Sequence, residues 1–173
     1  MNKHPKRLSL LLVTTLCMGW LALASAASNL LSTEDTAFVT RATQGGLAEV
    51  ALGGVAVERA QDEAVRSFAE RMVKDHGETN EKLLALAQSK GLTPTTSLTP
   101  EHQQLLHQLQ TVEEREFDRE YVKAMVEDHA EDVAEFEKQA KEADDPDLRR
   151  FAEQTLPTLQ SHLDAIRDIE EGL

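Results

Sequence analysis

Residues 91–111, GLTPTTSLTPEHQQLLHQLQT, decide how the helices of this chain are connected. Two prolines and a run of threonine and serine end the helical pattern after Lys90-Gly91, and a short helix is predicted to begin at Thr99-Pro100. With part of the segment extended and part helical, its reach is about 40 Å, the length of a helix of roughly 25 residues. The segment can therefore return the chain to the opposite end of a helical bundle, which leaves the long helices before and after it parallel.

The rest of the chain beyond residue 30 has the apolar periodicity of amphipathic helices, and no stretch alternates with period two. Ser32 begins the first helix, Asp62 the second, and Asp145-Pro146 the fourth, while the third follows Thr111. The sequence thus predicts an all-α fold, a ferritin-like four-helix bundle with a long crossover connection between helices 2 and 3. Pro157 is expected to kink the fourth helix.

The N-terminus has the pattern of a secretory signal peptide. Lys3, Lys6 and Arg7 precede an uncharged run from Leu8 to Ala27, which contains the small-residue cleavage pattern Ala24-Ser25-Ala26. The predicted division is a signal peptide over residues 1–26 and a bundle domain over residues 27–173, located in the periplasm. An uncleaved inner-membrane anchor is the alternative, because the run is about long enough to span a bilayer. After cleavage no stable transmembrane segment is expected.

Composition excludes several classes of function. The chain has 31 acidic and 18 basic residues and a net charge of −13, and its single cysteine, Cys17, lies in the predicted signal peptide. The secreted form therefore has no cysteine nucleophile, no thiolate metal site and no disulfide. Nucleic acid is excluded as a partner, because no surplus of cations remains to neutralise phosphates. No pattern identifies a protein partner or a reaction.

Each predicted long helix has one ionisable side chain at the centre of its apolar face. At about 100° per residue, Glu49 lies within about 20° of Phe38, Ala42, Ala56 and Ala60 on the first helix. By the same reasoning, one histidine is centred on the apolar face of each of the other three helices, namely His76, His129 and His162. Their distances from the helix ends, roughly 17 to 24 Å, place all four near mid-height. We therefore predict that they meet at one site.

Such a cluster has two interpretations. The four side chains can bind one divalent transition metal, namely zinc, manganese, iron or copper. Alternatively, protonated imidazoles can pair with Glu49 in a metal-free network. Asp132, one turn beyond His129, is a fifth ligand or an outer acceptor in the first interpretation.

Neighbouring polar residues receive more ordinary interpretations. Asp75 and Asp128 each precede a histidine by one residue, so they are expected to face solvent or a neighbouring helix. His102 and His107 lie on the crossover and are expected to be solvated.

The chain contains two internal similarities. Residues 72–76, MVKDH, resemble residues 125–129, MVEDH, whereas residues 65–70, VRSFAE, resemble residues 148–153, LRRFAE. The two registers relate different pairs of helices, so the sequence alone does not establish a duplication.

Three motifs resemble an exported bacterial family of ferritin-like domains of unknown function, whose members are often labelled predicted outer-membrane or periplasmic proteins. They are residues 44–50, QGGLAEV, residues 68–76, FAERMVKDH, and residues 156–163, LPTLQSHL. The resemblance covers about residues 33–170. It implies a ferritin-like bundle in the cell envelope and no established activity.

The chain departs from the di-iron pattern of ferritin-like proteins, which requires Glu-x-x-His on the second and fourth helices. Val73 and Leu159 occupy the positions three residues before His76 and His162. With a single core glutamate, the predicted site is mononuclear. Metal buffering, envelope stress protection or a redox role would follow. A metal-free interaction bundle, or a module that loosens as histidines are protonated, is the alternative.

Overall fold

The computed structural model describes residues 30–173, which form five helices and no strand. The helices are α1 (Thr33–Arg59), α2 (Glu63–Ser89), α3 (Pro100–Thr111), α4 (Glu114–Glu142) and α5 (Pro146–Gly172). The prediction of an all-helical chain is confirmed, with four long helices and one short one in the crossover. The predicted signal peptide, residues 1–26, lies outside the described residues.

The predicted helix starts are correct because they depend on local capping. The side chains of Ser32, Asp62, Thr99 and Asp145 each accept a hydrogen bond from a backbone N–H of the first turn that follows. At the end of α2 the chain turns at Gly91, whose φ of +77° is in the left-handed region that favours glycine. Further along, α5 continues through Pro157 without interruption.

Contacts at the two ends of the molecule fix the helix directions. Near the start of α4, Asp118 accepts hydrogen bonds from the backbone N–H groups of Gln61 and Asp62, in the turn between α1 and α2. At the other end, the Lys90 ammonium group at the end of α2 lies 2.7 Å from both Asp145 and Asp147, where α5 begins. The starts of α2 and α4 therefore lie at the same end. The two helices run in the same direction, as the length of residues 91–111 predicts.

Arg59, in the last turn of α1, anchors the end of the crossover. Its guanidinium group donates hydrogen bonds to the carbonyl oxygens of Leu109 and Val112, which end α3. The same group lies 4.9 Å from the centre of the Phe117 ring. The crossover is thereby held against α1 and α4.

The structure distinguishes between the two internal similarities. Asp35 accepts hydrogen bonds from Asp144 and Asp145 in the α4–α5 turn, just as Asp118 does in the α1–α2 turn. Asp35 and Asp118 are 83 positions apart, as are Asp62 and Asp145.

The arginines of the two turns repeat with the same spacing. Arg66 donates to the carbonyl of Ala60, and Arg149 donates to the carbonyl of Ala143. The α1–α2 hairpin and the α4–α5 hairpin are thus two copies of one local design, related by the register that aligns residues 65–70 with residues 148–153.

The core consists of two apolar clusters, one towards each end. The cluster at the α1–α2 turn includes Ala60, Val65, Phe117 and Tyr121, whereas the cluster at the α4–α5 turn includes Phe38, Phe136, Leu148 and Phe151. Between them lies a layer of buried polar side chains, described below. No helix within residues 30–173 combines the length and the apolar character that crossing a membrane requires.

Two glycines let α1 and α2 approach each other closely. A Cβ atom added at Gly53 would lie 3.2 Å from the carbonyl oxygen of Ala69, and one at Gly46 would lie less than 3 Å from the side-chain amide of Asn80. Gly54 faces open space. Packing therefore accounts for Gly46 and Gly53, but not for Gly54.

We expect Gly46→Ala to lower the free energy of unfolding by about 1–3 kcal/mol, because Asn80 is buried and must shift. Gly54→Ala is the matched control and should raise it by up to about 1 kcal/mol through helix propensity alone. Urea denaturation of both variants measures the difference. Equal effects of the two substitutions would contradict the close approach.

The ion pairs of Lys90 give a pH-dependent prediction. Hydrogen bonds to Asp145 and Asp147 raise the pKa of Lys90, and the hydrogen bond from Lys90 lowers the pKa of Asp147. The stabilisation is therefore present between about pH 4 and pH 10, and is lost below that window as the carboxylates gain protons.

Lys90→Met should accordingly destabilise the protein at pH 7 much more than at pH 3. Lys82→Met, at an exposed position of the same helix, is the control. Urea unfolding at both pH values tests this, and a penalty for Lys90→Met that is independent of pH would show that packing is responsible.

Candidate metal centre

The polar layer brings together one side chain from each long helix: Glu49 from α1, His76 from α2, His129 from α4 and His162 from α5. All four are buried. The centres of the three imidazole rings lie 5.2–5.4 Å apart in every pairing. Oε2 of Glu49 is 2.5 Å from Nδ1 of His76, and Oε1 is 3.3 Å from Nε2 of His129. The four predicted side chains thus converge in direction and in height.

Outer partners orient two of the rings. Nδ1 of His129 donates to the carbonyl oxygen of Met125, at 3.0 Å, and Nε2 of His162 donates to Oδ2 of Asp75, also at 3.0 Å. The remaining nitrogen of each ring, Nε2 of His129 and Nδ1 of His162, then carries a lone pair. In metal sites, such hydrogen bonds from the non-ligating ring nitrogen to a carbonyl or carboxylate oxygen hold the histidine in position.

The inward-facing nitrogens are close enough to share an ion. Nδ1 of His162 lies 3.3 Å from Nε2 of His76. One ligand atom from each of the three histidines lies within 4.8 Å of the others. A second group with the same spacing is formed by Glu49, Asp128 and His129.

Several of these atoms are buried without a hydrogen bond. Among the described residues, Oε1 and Oε2 of Glu49 and Nε2 of His129 have no hydrogen-bond partner, although they lie close to one another. A buried polar atom left unsatisfied costs about 1–3 kcal/mol. A divalent cation would bind the lone pairs of these nitrogen and oxygen atoms and so satisfy them together. The residues therefore fit a metal ion.

Burial determines the charge of the site. It lowers the pKa of His129 to about 3 and that of His162 to about 4, and it also lowers the pKa of His76. The imidazoles are therefore neutral at pH 7, which is the form that binds metals. Burial raises the pKa of Glu49 to about 8, so in the absence of a cation this carboxyl group is mostly protonated at pH 7.

The nearby arginines are committed elsewhere. Arg71 pairs with Asp75 at 3.3 Å, and Arg41 pairs with Glu135 at 2.8 Å. Partial burial acts to raise the pKa of Asp75, but hydrogen bonds from His162 and Arg71 bring it below its ordinary value. Within residues 30–173, no lysine or arginine forms an ion pair with Glu49.

Two cavities lie near the site. A cavity of about 370 Å³ opens between α1, the start of α3 and α4, and four acidic residues of α4 line it: Asp128, Glu131, Asp132 and Glu135. A pocket of about 10 Å³, the size of one water molecule, lies beside Glu49 and His76. Asp132, Ala42 and Phe136 line both cavities, so these three residues lie between the open cavity and the pocket beside Glu49.

Several expectations for the surroundings of the site need correction. Asp128, expected to face away, contributes to a candidate ligand group with Glu49. Asp75 contacts a neighbouring helix as predicted, but does so through His162. His102, expected to be solvated, is half-buried and lines the open cavity, whereas His107 is exposed.

Two aspartates of α4 add carboxyl groups beside the predicted site. Asp128 and Asp132 join Glu49, and burial together with the charge on Glu49 raises the pKa of both aspartates well above the ordinary value. A helical-wheel calculation on α4 alone cannot show that residues of α1 and the start of α3 lie near Asp128 and Asp132. The sequence signal that could have pointed to Asp128 is the Asp-His pair that occurs in both MVKDH and MVEDH.

The pattern of a protein family described as a domain of unknown function (DUF4142) matches residues 21–169. The chain belongs to this family. Membership agrees with the resemblance to a family of domains of unknown function, and no match was found among curated proteins.

Solved structures with a similar fold include two proteins. A DUF305 fragment from Deinococcus radiodurans is 21% identical, with a TM-score of 0.73 over 83% of this chain and 99% of that chain. CopM in its Cu(I)-bound and Cu(II)-bound forms is 15% identical, with a TM-score of 0.68 over 80% of this chain and 96% of that chain. At these identities the similarity concerns the fold alone.

Tyr121 is a neighbour of the site that the sequence did not indicate. It is buried two turns before Asp128 on α4, and its hydroxyl group has no hydrogen-bond partner within residues 30–173. Burial raises the pKa of Tyr121, and the charges of Glu49 and Asp128 raise it further.

We expect Tyr121→Phe to raise the free energy of unfolding of the metal-free protein by about 1 kcal/mol, because it removes an unsatisfied buried hydroxyl group. Urea denaturation in the presence of a chelator measures this. A loss of stability instead would mean that the hydroxyl group has a partner in solution.

Proposed function

We propose that this protein is an exported helical protein of the cell envelope that binds a divalent transition metal between its four long helices. The metal ligands are His76, His129 and His162, with Glu49 as the fourth, and Asp132 is an outer ligand or acceptor. The observation that carries this proposal is the convergence of three buried imidazoles on Glu49, whose two oxygens have no hydrogen-bond partner among the described residues.

The geometry indicates which atoms would bind. Nε2 of His129 and Nδ1 of His162 are free because the other nitrogen of each ring is held by Met125 or Asp75. Nε2 of His76 lies 3.3 Å from Nδ1 of His162. Glu49 reaches two of the rings, one with each oxygen, so it completes the set and orients His76.

The donor set restricts the metal. Imidazole nitrogens with one carboxylate suit zinc, copper, iron and manganese. Copper is the first metal to test, because CopM, which shares the fold, has structures in Cu(I)-bound and Cu(II)-bound forms. The second metal to test is zinc.

The helical frame and the location are part of the proposal. We infer that α1, α2, α4 and α5 form a ferritin-like four-helix bundle, supported by the parallel directions of α2 and α4 and by the polar layer between two apolar clusters. Residues 1–26 act as the signal peptide that sends residues 27–173 to the periplasm. The charged start and the cleavage pattern Ala24-Ser25-Ala26 support this.

Metal buffering is the role that suits this site best. The ligands are buried, and the pocket beside Glu49 and His76 has room for one water molecule but not for an organic substrate. Entry passes through an acidic cavity, which favours cations. A buffering protein needs only a ligand set and a route for the cation, and no pocket for an organic substrate.

A metal-free network is the second candidate. His76 and His162 are hydrogen-bonded to each other, and His162 is bonded to Asp75, so a chain of polar contacts leads from Glu49 to the surface without a cation. In that case the layer would specify the packing of the helices. The two candidates differ in metal content.

Untagged protein from the periplasm should contain about one copper or zinc ion per chain, and His162→Ala should weaken metal affinity at least about 100-fold. His107→Ala, on the exposed face of α3, is the matched control and should bind as the wild type does. Elemental analysis and competition titration against a chromophoric chelator measure both.

Protein that contains no metal, and whose melting temperature is unchanged by copper, zinc, manganese or iron, would contradict metal binding. The metal-free candidate would then predict that Asp75→Asn lowers stability, because His162 loses its charged acceptor. An unchanged free energy of unfolding for Asp75→Asn would contradict the metal-free candidate.

A further inference from the structure

The small pocket beside the candidate metal centre lies between the polar layer and the apolar cluster at the α4–α5 turn. Glu49 and His76 line it together with Phe136 and Leu159 of that cluster, and its volume of about 10 Å³ holds one water molecule. We propose that this pocket holds a further ligand of the bound metal, a water molecule that a small anion can replace, with the side-chain amide of Asn80 as its hydrogen-bond donor. The inference rests on the proposed metal site.

The observation that carries this inference is the amide group of Asn80. Asn80 follows His76 by one turn of α2, lines the pocket and is 6% exposed. Its Nδ2 has no hydrogen-bond partner within residues 30–173. An N–H group buried without a partner destabilises the folded chain, so this amide requires an acceptor. A ligand in the pocket that has a lone pair would be that acceptor.

Gly46 of α1 keeps the amide end of Asn80 next to the pocket. Both residues line it, and a Cβ atom added at Gly46 would lie less than 3 Å from both Nδ2 and Oδ1 of Asn80. Thr155 and Asp132 line the pocket as well and offer further polar partners to a water molecule, which needs two to four. The pocket is therefore polar on the side of the metal ligands.

The opposite side of the histidine group is closed by an aromatic ring. Phe68 is buried in the cluster at the α1–α2 turn, and the centre of its ring lies 6.0 Å from that of His129 and 6.3 Å from that of His162. Both contacts are edge-to-face. A further ligand of the metal therefore has room on the side of Asn80 and not on the side of Phe68.

Size and hydrogen bonding restrict the ligand. The metal attracts an anion, an N–H donor requires a lone pair, and the volume admits one atom of the size of oxygen or fluorine. We therefore expect this position to take water, hydroxide or fluoride, but not thiocyanate. A metal with such an exchangeable position differs from a closed structural site, in which protein ligands fill every position.

The test uses protein loaded with one equivalent of Cu²⁺ and titrated with fluoride, while the electron paramagnetic resonance spectrum of copper is recorded. Copper suits this test because a site of nitrogen and oxygen ligands that binds another divalent metal also binds Cu²⁺. The nuclear spin of bound fluoride should split the copper signal, with one fluoride per copper. Thiocyanate should leave the spectrum unchanged. This comparison uses the wild-type protein, so it does not depend on the folding of a variant.

Two variants test the donor. Asn80→Ala should weaken fluoride binding at least about 10-fold, because it removes the N–H group, and should leave copper affinity as in the wild type. Thr79→Ala is the matched control, since it shortens another side chain that lines the pocket. The hydroxyl group of Thr79 already donates to the carbonyl oxygen of Asp75, at 2.7 Å, so fluoride affinity should not change.

The inference is wrong if fluoride leaves the spectrum of bound copper unchanged, or if Asn80→Ala and Thr79→Ala bind fluoride equally well. A copper ion that takes thiocyanate as readily as fluoride would also contradict it. In each of these cases copper remains bound, so the proposed metal site stands. Protein that binds no copper would instead contradict both proposals.

Discussion

The structure depends on a polar layer that is closed off from water between two apolar clusters. Glu49 and the three imidazoles occupy the middle of the core, where each unsatisfied atom destabilises the folded chain. Such a layer persists when its atoms have partners or share a cation. Because every long helix contributes one ionisable side chain at the same height, the packing of each helix depends on the other three.

Contacts at both ends of the molecule hold this layer in register. Asp35 and Asp118 each bond the turn of the opposite hairpin, and Lys90 ties the end of α2 to the start of α5. Because the ends are fixed, the height of each inward side chain is fixed too. Arg59 anchors the end of the long crossover. Residues at the start of α3 form part of the wall of the acidic cavity beside α4.

Local chemistry made most of the fold predictable. Caps such as Asp62 and Thr99 act within a few residues, and helical periodicity placed Glu49 and His76 on inward faces. The aspartates were harder, because their burial depends on helices that pack beside them. Asp75 is held by α5, whereas Asp128 lies beneath α1 and α3. The repeat could not be assigned from sequence because two registers matched equally well, and only the capping contacts distinguish them.

The repeat of the two hairpins has a mechanical consequence. Glu49 and His76 belong to the first hairpin and His129 and His162 to the second, so neither half has a complete set of donors. An ion held by all four would act as a clasp across the seam between the halves. Uptake and release of the ion would then tighten or loosen that seam while leaving each hairpin internally unchanged.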